Sequence, residues 1–410
     1  MAFDSNNTID NAEISKIGLA QRGSLKFLEQ ALREYWNLGQ NNVLCWSINN
    51  KGISVLMVPH YFLAQFSSSL ENIATKDRLD ALNGRFVREL IAGKRQMDGL
   101  EFAGTAKRFE IEPTQIDLPV PIGKDQLVLQ AVESMVRRYS ISYVSKRAVL
   151  LFDIVDFSLF SPFEQTSQLS SLSYSLNAAF SKMLAHNINI DFARTTTGDG
   201  FYIWNRNLDA MADTHLFQFM LMVMANNAVA QSKAMRRTVP TIRTGFHVGS
   251  HYEFYQAQGV NPTMFSYIVG EVTIELARIV ESAASGQIYI GDFTTSMPTS
   301  SRESAFLIEV DSGRFVERAR KHLASLKGVE LSGEGIESIH CFLTGETSVV
   351  GGESIHRFKI TDKHGLSRNA YNLRVNIQMT QGRPILLGSN TLSNAADRVT
   401  GGTMRTSREK

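Results

Sequence analysis

Two short segments limit what this chain can fold into: Phe152-Asp153-Ile154-Val155-Asp156-Phe157-Ser158 and Thr196-Thr197-Gly198-Asp199-Gly200-Phe201. Each sets an aspartate beside apolar, β-type residues. The first closes the run Ala148-Val149-Leu150-Leu151-Phe152, and the second opens Phe201-Tyr202-Ile203-Trp204. The 46 positions from Asp153 to Asp199 hold one helix, one strand and a turn, enough to return the chain beside its start. Carboxylates at adjacent strand ends are what a divalent-metal phosphate site needs, because hard Mg²⁺ takes oxygen ligands and shares them with substrate phosphates. Two such ions activate an attacking oxygen and stabilise a leaving one. Taken singly, either aspartate reads equally as a turn or helix-cap residue.

The pattern around these segments predicts strand (147–154), helix (164–185), strand (188–195), strand (199–205), helix (209–234) and strand (241–248). A helix (271–284) and a strand (287–290) follow. Strand-helix-strand-strand-helix-strand predicts an α+β domain over 145–345, an antiparallel-containing sheet with helices on one face. Residues 1–110 predict a helical domain with one hairpin, Val43–Ile48 and Ile53–Val58 about Asn49-Asn50-Lys51-Gly52, and carry no chemical motif. Pro113, Pro119 and Pro121 mark an extended connector within 111–144, ending in a lead-in helix from Asp125 to Tyr139. Residues 353–388 predict a small β-rich domain, and 389–410, rich in Gly, Thr, Ser and Arg, a disordered tail.

A formal charge of +2 over 410 residues excludes a strongly basic nucleic-acid-binding field. Cys45 and Cys341, alone in so long a chain, form no disulfide framework or metal cluster and imply a reducing compartment. The first residues are polar without a signal-peptide core. The longest apolar run, Leu216 to Ala230, is interrupted by Gln218, Asn226 and Asn227 and predicts a buried helix, not a membrane span. The expectation is a soluble, cytoplasmic protein.

Four segments, in order, resemble the catalytic domain of class III nucleotidyl cyclases, the adenylate and guanylate cyclase superfamily. They are the two aspartate segments, Arg243-Thr244-Gly245-Phe246-His247-Val248-Gly249, and Val269-Gly270 through Ala277-Arg278 followed by Gly286-Gln287-Ile288-Tyr289-Ile290. The resemblance spans about half the chain. It implies a ferredoxin-like βαββαβ domain acting as a head-to-tail homodimer, with active sites shared at the interface. It implies two Mg²⁺ or Mn²⁺ ions on Asp153 and Asp199, with the carbonyl of Ile154 as a further ligand. Phe157 and Ser158 would cradle phosphates through backbone N–H groups, and Lys327 would touch the terminal phosphates. Arg278 would stabilise the pentavalent α-phosphate; its plain alternative is an ion pair with Glu275 or Glu281. His247 and Tyr289 read as packing residues.

Two departures stand out. Asp156 occupies a position where the family commonly has glycine, and Ile274 falls where the family has a hydrogen-bonding Asn, leaving Thr273 or Glu275 to substitute. The base-recognition positions fall on Thr195 and Tyr267, neither the Lys–Asp of adenylate cyclases nor the Glu–Cys of guanylate cyclases. A large aromatic shrinks the pocket and favours a pyrimidine; the plain alternative is that Tyr267 packs in the dimer interface. His356 to Leu366, Asn369 to Asn372 and Pro384 to Gly388 are similar to the sensor-like domain of some bacterial anti-phage cyclases. Together these imply a Pycsar-type cyclase making cyclic UMP, or less readily cyclic CMP, that activates a separate effector. The alternatives are a purine cyclase and a non-catalytic nucleotide sensor. A diguanylate cyclase is disfavoured, since Thr197-Gly198-Asp199-Gly200-Phe201 lacks that family's leading Gly and second acid.

Overall fold

The computed structural model describes residues 16–37, 42–67, 73–207, 209–235, 237–257, 264–299, 306–344, 357–361, 365, 367–388 and 406–408. They divide into two units, one within 1–145 and 252–268, the other within 146–251 and 269–410.

The first unit contains α1 (Leu19–Asn37), β1 (Asn42–Ile48), β2 (Gly52–Val58), α2 (Phe62–Ser67), α3 (Ile73–Ala92), α4 (Gly99–Phe109), β3 (Thr114–Asp117) and α5 (Gln126–Arg137). The expected hairpin forms because the Asn49 side chain accepts from the N–H groups of Lys51 (2.9 Å) and Gly52 (2.7 Å), reversing the chain. Ile48 then pairs with Ile53, and β1 and β2 run antiparallel. Val43, Ile53, Val55 and Met57 pack on one face of this sheet with Leu28, Leu32, Val132 and Val136. Leu44, Leu56 and Val58 pack on the other with Val87, Leu90 and Phe102. Covering both faces explains why these strands read as continuous apolar runs.

The expected lead-in helix forms as α5, but residues 111–123 differ from the extended connector their prolines predict. Thr114–Asp117 is β3, paired with β2 through Ile53↔Ile116, and α5 buries Val128, Val132 and Val136 in the same core. The prolines flank β3 without interrupting it, and an edge strand tolerates that placement.

The second unit is built on β4 (Ser142–Ile154), α6 (Pro162–Ala185), β5 (Phe192–Thr196), β6 (Gly200–Asn205), α7 (Ala212–Lys233) and β7 (Ile242–Ala257), whose outer end runs on into the first unit. After β8 (Met264–Val269), which belongs to the first unit up to Ile268, the second unit continues with α8 (Glu271–Glu281), β9 (Ile288–Gly291), β10 (Thr294–Pro298), β11 (Leu307–Asp311), α9 (Ser312–His322), β12 (Glu330–Leu331), β13 (Glu334–Thr344), β14 (Arg357–Thr361), β15 (Ser367–Met379), β16 (Ile385–Leu387) and β17 (Thr406–Arg408). A large mixed sheet takes the order β12-β13-β15-β9-β7-β4-β6-β5. Its β7–β9 pair is parallel, and β4–β6 and β5–β6 are antiparallel.

Helix α7 is buried all round from Leu216 to Ala225 and emerges at its last turn, Gln231 to Lys233. Leu216, Phe217 and Phe219 to Ala225 lie inside, and the polar residues that break the run are bonded. Gln218 donates to the His322 carbonyl (2.8 Å), and Asn227 donates to the Pro240 carbonyl (2.9 Å). A helix apolar on every side is a core helix, and among the described residues no helix is long and apolar enough to cross a membrane.

The C-terminal segment is not a separate small domain. β15 pairs with β13 on one side (Leu343↔Leu373) and β9 on the other (Tyr371↔Ile290), and Leu373, Val375 and Ile377 join the main core. Thirteen residues of alternating burial make β15 long enough to bridge two strands. The tail expected to be disordered contributes β17, paired with β14 through Lys359↔Ser407; residues 353–356, 362–364, 366, 389–405, 409 and 410 of those two expectations lie outside the described residues.

Candidate active site

The two aspartates meet. In the antiparallel β4–β6 pair, Asp153 stands opposite Gly200, and the Ile154 N–H donates to the Asp199 carbonyl (2.9 Å). Only glycine fits at 200, because a Cβ there would lie 1.9 Å from the Phe152 carbonyl oxygen. The β5–β6 turn closes by Thr197 N–H to the Gly200 carbonyl (3.0 Å), with Gly198 at φ +101. The Thr197 hydroxyl lies 3.1 Å from an Asp199 carboxylate oxygen and orients it.

Burial pushes the Asp153 carboxyl above its ordinary range; Arg243 pulls it down, and the neighbouring Asp199 pushes it up again. The Arg243 Nε donates to Asp153 Oδ2 (2.5 Å), and its Nη1 donates to the Glu281 carbonyl at the end of α8 (3.0 Å). Sequence reasoning assigned Arg243 no role. The available signal was a charged residue inside the apolar strand Ile242 to Val248, which calls for a buried acidic partner. Tyr202, opposite Leu151, was also missed. Its hydroxyl donates to the Thr273 carbonyl (2.8 Å), and burial with the fields of Asp153 and Asp199 pushes its phenol up to about 12.

After β4 the chain turns sharply at Asp156, which takes left-handed backbone angles (φ 58, ψ 26). Aspartate is among the few residues other than glycine that tolerate this region. The turn over Phe157–Leu159 closes by the Leu159 N–H to the Asp156 carbonyl (2.9 Å), and Gln165 ties it to α6 by donating to the carbonyls of Phe157 and Phe160, both at 3.1 Å. Ser161 and Glu164 form a capping box at the start of α6, with Pro162 in its first turn. Ser158 is exposed and Phe157 half-buried.

Arg278 lies on α8 within the field of Glu275. Glu275 accepts from His247 Nε2 (2.6 Å) and lies 3.7 Å from Arg368 Nε. Hydrogen bonding to His247 holds the Glu275 carboxyl below its ordinary range, opposed by burial and aided by His247, Arg368 and Arg278. The ion-pair environment expected as the plain reading of Arg278 is therefore present. Ile274 is half exposed, and the Thr273 hydroxyl donates to the Gly270 carbonyl (2.8 Å). Both candidate substitutes for the missing Asn are thus engaged elsewhere.

Lys327 is exposed just before β12, and four strands separate β12 from β4 in the sheet order. Thr195 pairs with Tyr202 across β5–β6. Tyr267 belongs to the first unit, where its ring stacks on Phe254 at 5.6 Å. Tyr289 is buried beside Phe358.

Among the described residues no group of three or more His, Cys, Asp or Glu side chains could hold a metal. A carboxylate pair with hard oxygen donors nevertheless fits Mg²⁺ or Mn²⁺ when phosphates and water complete the shell.

No protein-family model matches the chain, and no curated protein matches it. Among solved structures, the adenylyl cyclase CyaB from P. aeruginosa aligns over 60% of this chain and 97% of its own, at 13% identity and a TM-score of 0.33. The guanylate cyclase domain of RhGC from Catenaria anguillulae, in complex with GTP, aligns over 41% of this chain and 95% of its own, at 13% identity and a TM-score of 0.30. The guanylyl cyclase Cya2 aligns over 42% and 92%, at 14% identity and a TM-score of 0.28. Scores this low assign no fold, so function has to be read from the residues themselves.

Proposed function

We propose that the chain is a metal-dependent nucleotide cyclase of the class III type, converting a nucleoside triphosphate to its 3′,5′-cyclic monophosphate and pyrophosphate. The observation that carries this reading is the meeting of Asp153 and Asp199 across β4–β6, beside the guanidinium of Arg243. The strand order β7-β4-β6-β5 supports it, because it is the order a ferredoxin-like βαββαβ unit adopts.

Asp153 and Asp199 would hold two Mg²⁺ or Mn²⁺ ions, with the Ile154 carbonyl as a further ligand. The chemistry such ions would supply there is a lowered pKa at the ribose 3′-hydroxyl and compensation of the charge on the leaving pyrophosphate. Arg243 balances Asp153 in the free protein and supplies a cation where phosphate charge would arrive. The turn at Phe157 and Ser158 offers backbone N–H groups to the phosphates. Tyr202 stays protonated beside the carboxylates and so acts as a fixed hydrogen-bond donor, not a base. Arg278 and Lys327 would reach the triphosphate from a second copy of the chain, each copy lending them to the other's aspartates. The nucleophile belongs to the substrate, so positioning and electrostatics carry the rate.

The pyrimidine reading, UTP before CTP, rests on Thr195 and Tyr267 replacing both purine-selective pairs, and the anti-phage role with its effector on the C-terminal resemblance. One observation favours a second reading, nucleotide binding without chemistry: Ile274 is apolar, and Thr273 and Glu275 are committed to Gly270 and His247. Incubation with each of UTP, CTP, ATP and GTP plus Mn²⁺, with identification of products, tests both. Cyclic UMP with stoichiometric pyrophosphate is expected. Binding of any triphosphate without pyrophosphate release supports the sensor and overturns the cyclase.

A further inference from the structure

Helix α9 carries Arg314, Arg318 and Lys321 at spacings of four and three, which places them on one face, with His322 beside them. That face and the β10–β11 hairpin enclose a cavity of about 670 Å³, within the size range of small-molecule sites. Ile308 and Pro298, both half-buried, give it a narrow apolar wall, Met297 and Val310 bordering it are only 3% and 2% exposed, and among its described lining residues Glu317 is the one acidic side chain. The frame is tied down: Arg318 Nη1 donates to the Pro298 carbonyl (3.4 Å), and Gln218 holds the His322 carbonyl.

The helix dipole accounts for the cations in the last turn of α9. It does not account for Arg314, which stands in the first turn at the positive end. Arg314–Arg318 and Arg318–Lys321 are like-charge neighbours, while Glu317, three positions from Arg314 and four from Lys321, offsets part of that repulsion. A second cavity of about 340 Å³ shares Lys321 and His322 and adds His186 and His215. The His215 Nδ1 is buried without a hydrogen-bond partner among the described residues. Three cations on one helix face, one of them opposed to the helix dipole, beside a narrow apolar wall in a concave site fit an anion that also carries a flat apolar group.

We propose that this groove is a binding site for a nucleoside phosphate, distinct from the carboxylate pair. Its phosphate lies on Arg314, Arg318 and Lys321, and its base lies against Ile308 and Pro298. The inference stands on α9 and its hairpin alone and does not require the cyclase reading.

The test is calorimetric titration of the full-length chain with uridine and adenosine 5′-monophosphates and with inorganic phosphate. EDTA is present throughout, and the titrations are repeated on the Asp153→Asn/Asp199→Asn chain, so that binding at the carboxylate pair is absent. A nucleotide is expected to bind at least tenfold tighter than phosphate, to slow amide exchange in 294–322, and to lose at least tenfold in affinity in Arg318→Glu. Arg314→Gln, which removes a cation opposed to the dipole, should weaken binding without lowering the melting temperature, and serves if Arg318→Glu disturbs the hairpin. Absence of nucleotide binding, unchanged affinity in both variants, or protection elsewhere overturns the proposal. Phosphate binding as tightly as nucleotide overturns the role of the apolar wall. A single-stranded oligonucleotide binding the same residues at least tenfold tighter than either monophosphate makes this a nucleic-acid surface instead. Failure of the cyclase reading would show separately, as triphosphate left unconverted.

Discussion

Replacing Gly200 by alanine should dismantle the candidate site while adding only one methyl group. The new Cβ would sit 1.9 Å from the Phe152 carbonyl oxygen, whereas ordinary contact begins at 3.4 Å, so the strands must part by about 1.5 Å. The obstructing atoms are backbone and cannot rotate aside. An opening of that size breaks the 2.9 Å bond from the Ile154 N–H to the Asp199 carbonyl and separates Asp153 from Asp199. Overpacking costs about 1–3 kcal/mol, and the lost hydrogen bond about 1 kcal/mol more. For a unit of this size each kcal/mol lowers the melting temperature by about 2–4 °C. A displacement near 1 Å at reacting groups costs roughly a hundredfold in rate. Purified Gly200→Ala protein should therefore melt several degrees lower, bind Mn²⁺ more weakly and lose product formation by about two orders of magnitude. An unchanged melting temperature together with unchanged turnover would refute the reasoning, because the β4–β6 register could then not be the one described.

Three further outcomes follow from the same geometry. Asp153 has a folded-state pKa raised chiefly by burial, so its contribution to stability is present below the ordinary carboxylate range and is lost as pH rises through the raised value. Asp153→Asn should accordingly melt higher than the parent at neutral pH, with the gap closing in acid, yet form no product; a gap that widens in acid contradicts the assigned direction. Arg243→Ala removes the cation balancing two close carboxylates, and since the pair is partly exposed the loss should be about 1–3 kcal/mol. Added Mn²⁺ should raise the melting temperature of this variant more than that of the parent, and an equal rise would argue against metal at that carboxylate. At Asp156, held at φ 58, glycine should melt as high as the parent or higher, and valine should cost about 1–2 kcal/mol, as read by urea denaturation.

Much of the second unit was legible because its signals are local. The run Ala148 to Phe152, the turn Thr197–Gly200 and the apolar span Leu216 to Ala230 each encode their element by period, turn chemistry or continuous apolarity. The cap at Ser161 and the turn at Asn49 are equally local, since a side chain there bonds to a backbone a few residues away. The positions of Asp153 and Asp199 at facing strand ends could be read in the same way.

What the sequence could not reveal depends on partners distant along the chain. Whether Thr114–Asp117 is a linker or a strand is decided by the hydrogen bonds of β2, and whether β15 forms its own domain is decided by β9 and β13. Arg243 meets Asp153 across 90 positions, and Glu275 meets His247 across 28, so composition and spacing are silent on both. Periodicity reports which face of an element is apolar. Only tertiary packing brings such a charge to the one that balances it, because that pairing is set by strand order and by Coulomb energy between groups distant in sequence that meet at a half-buried site.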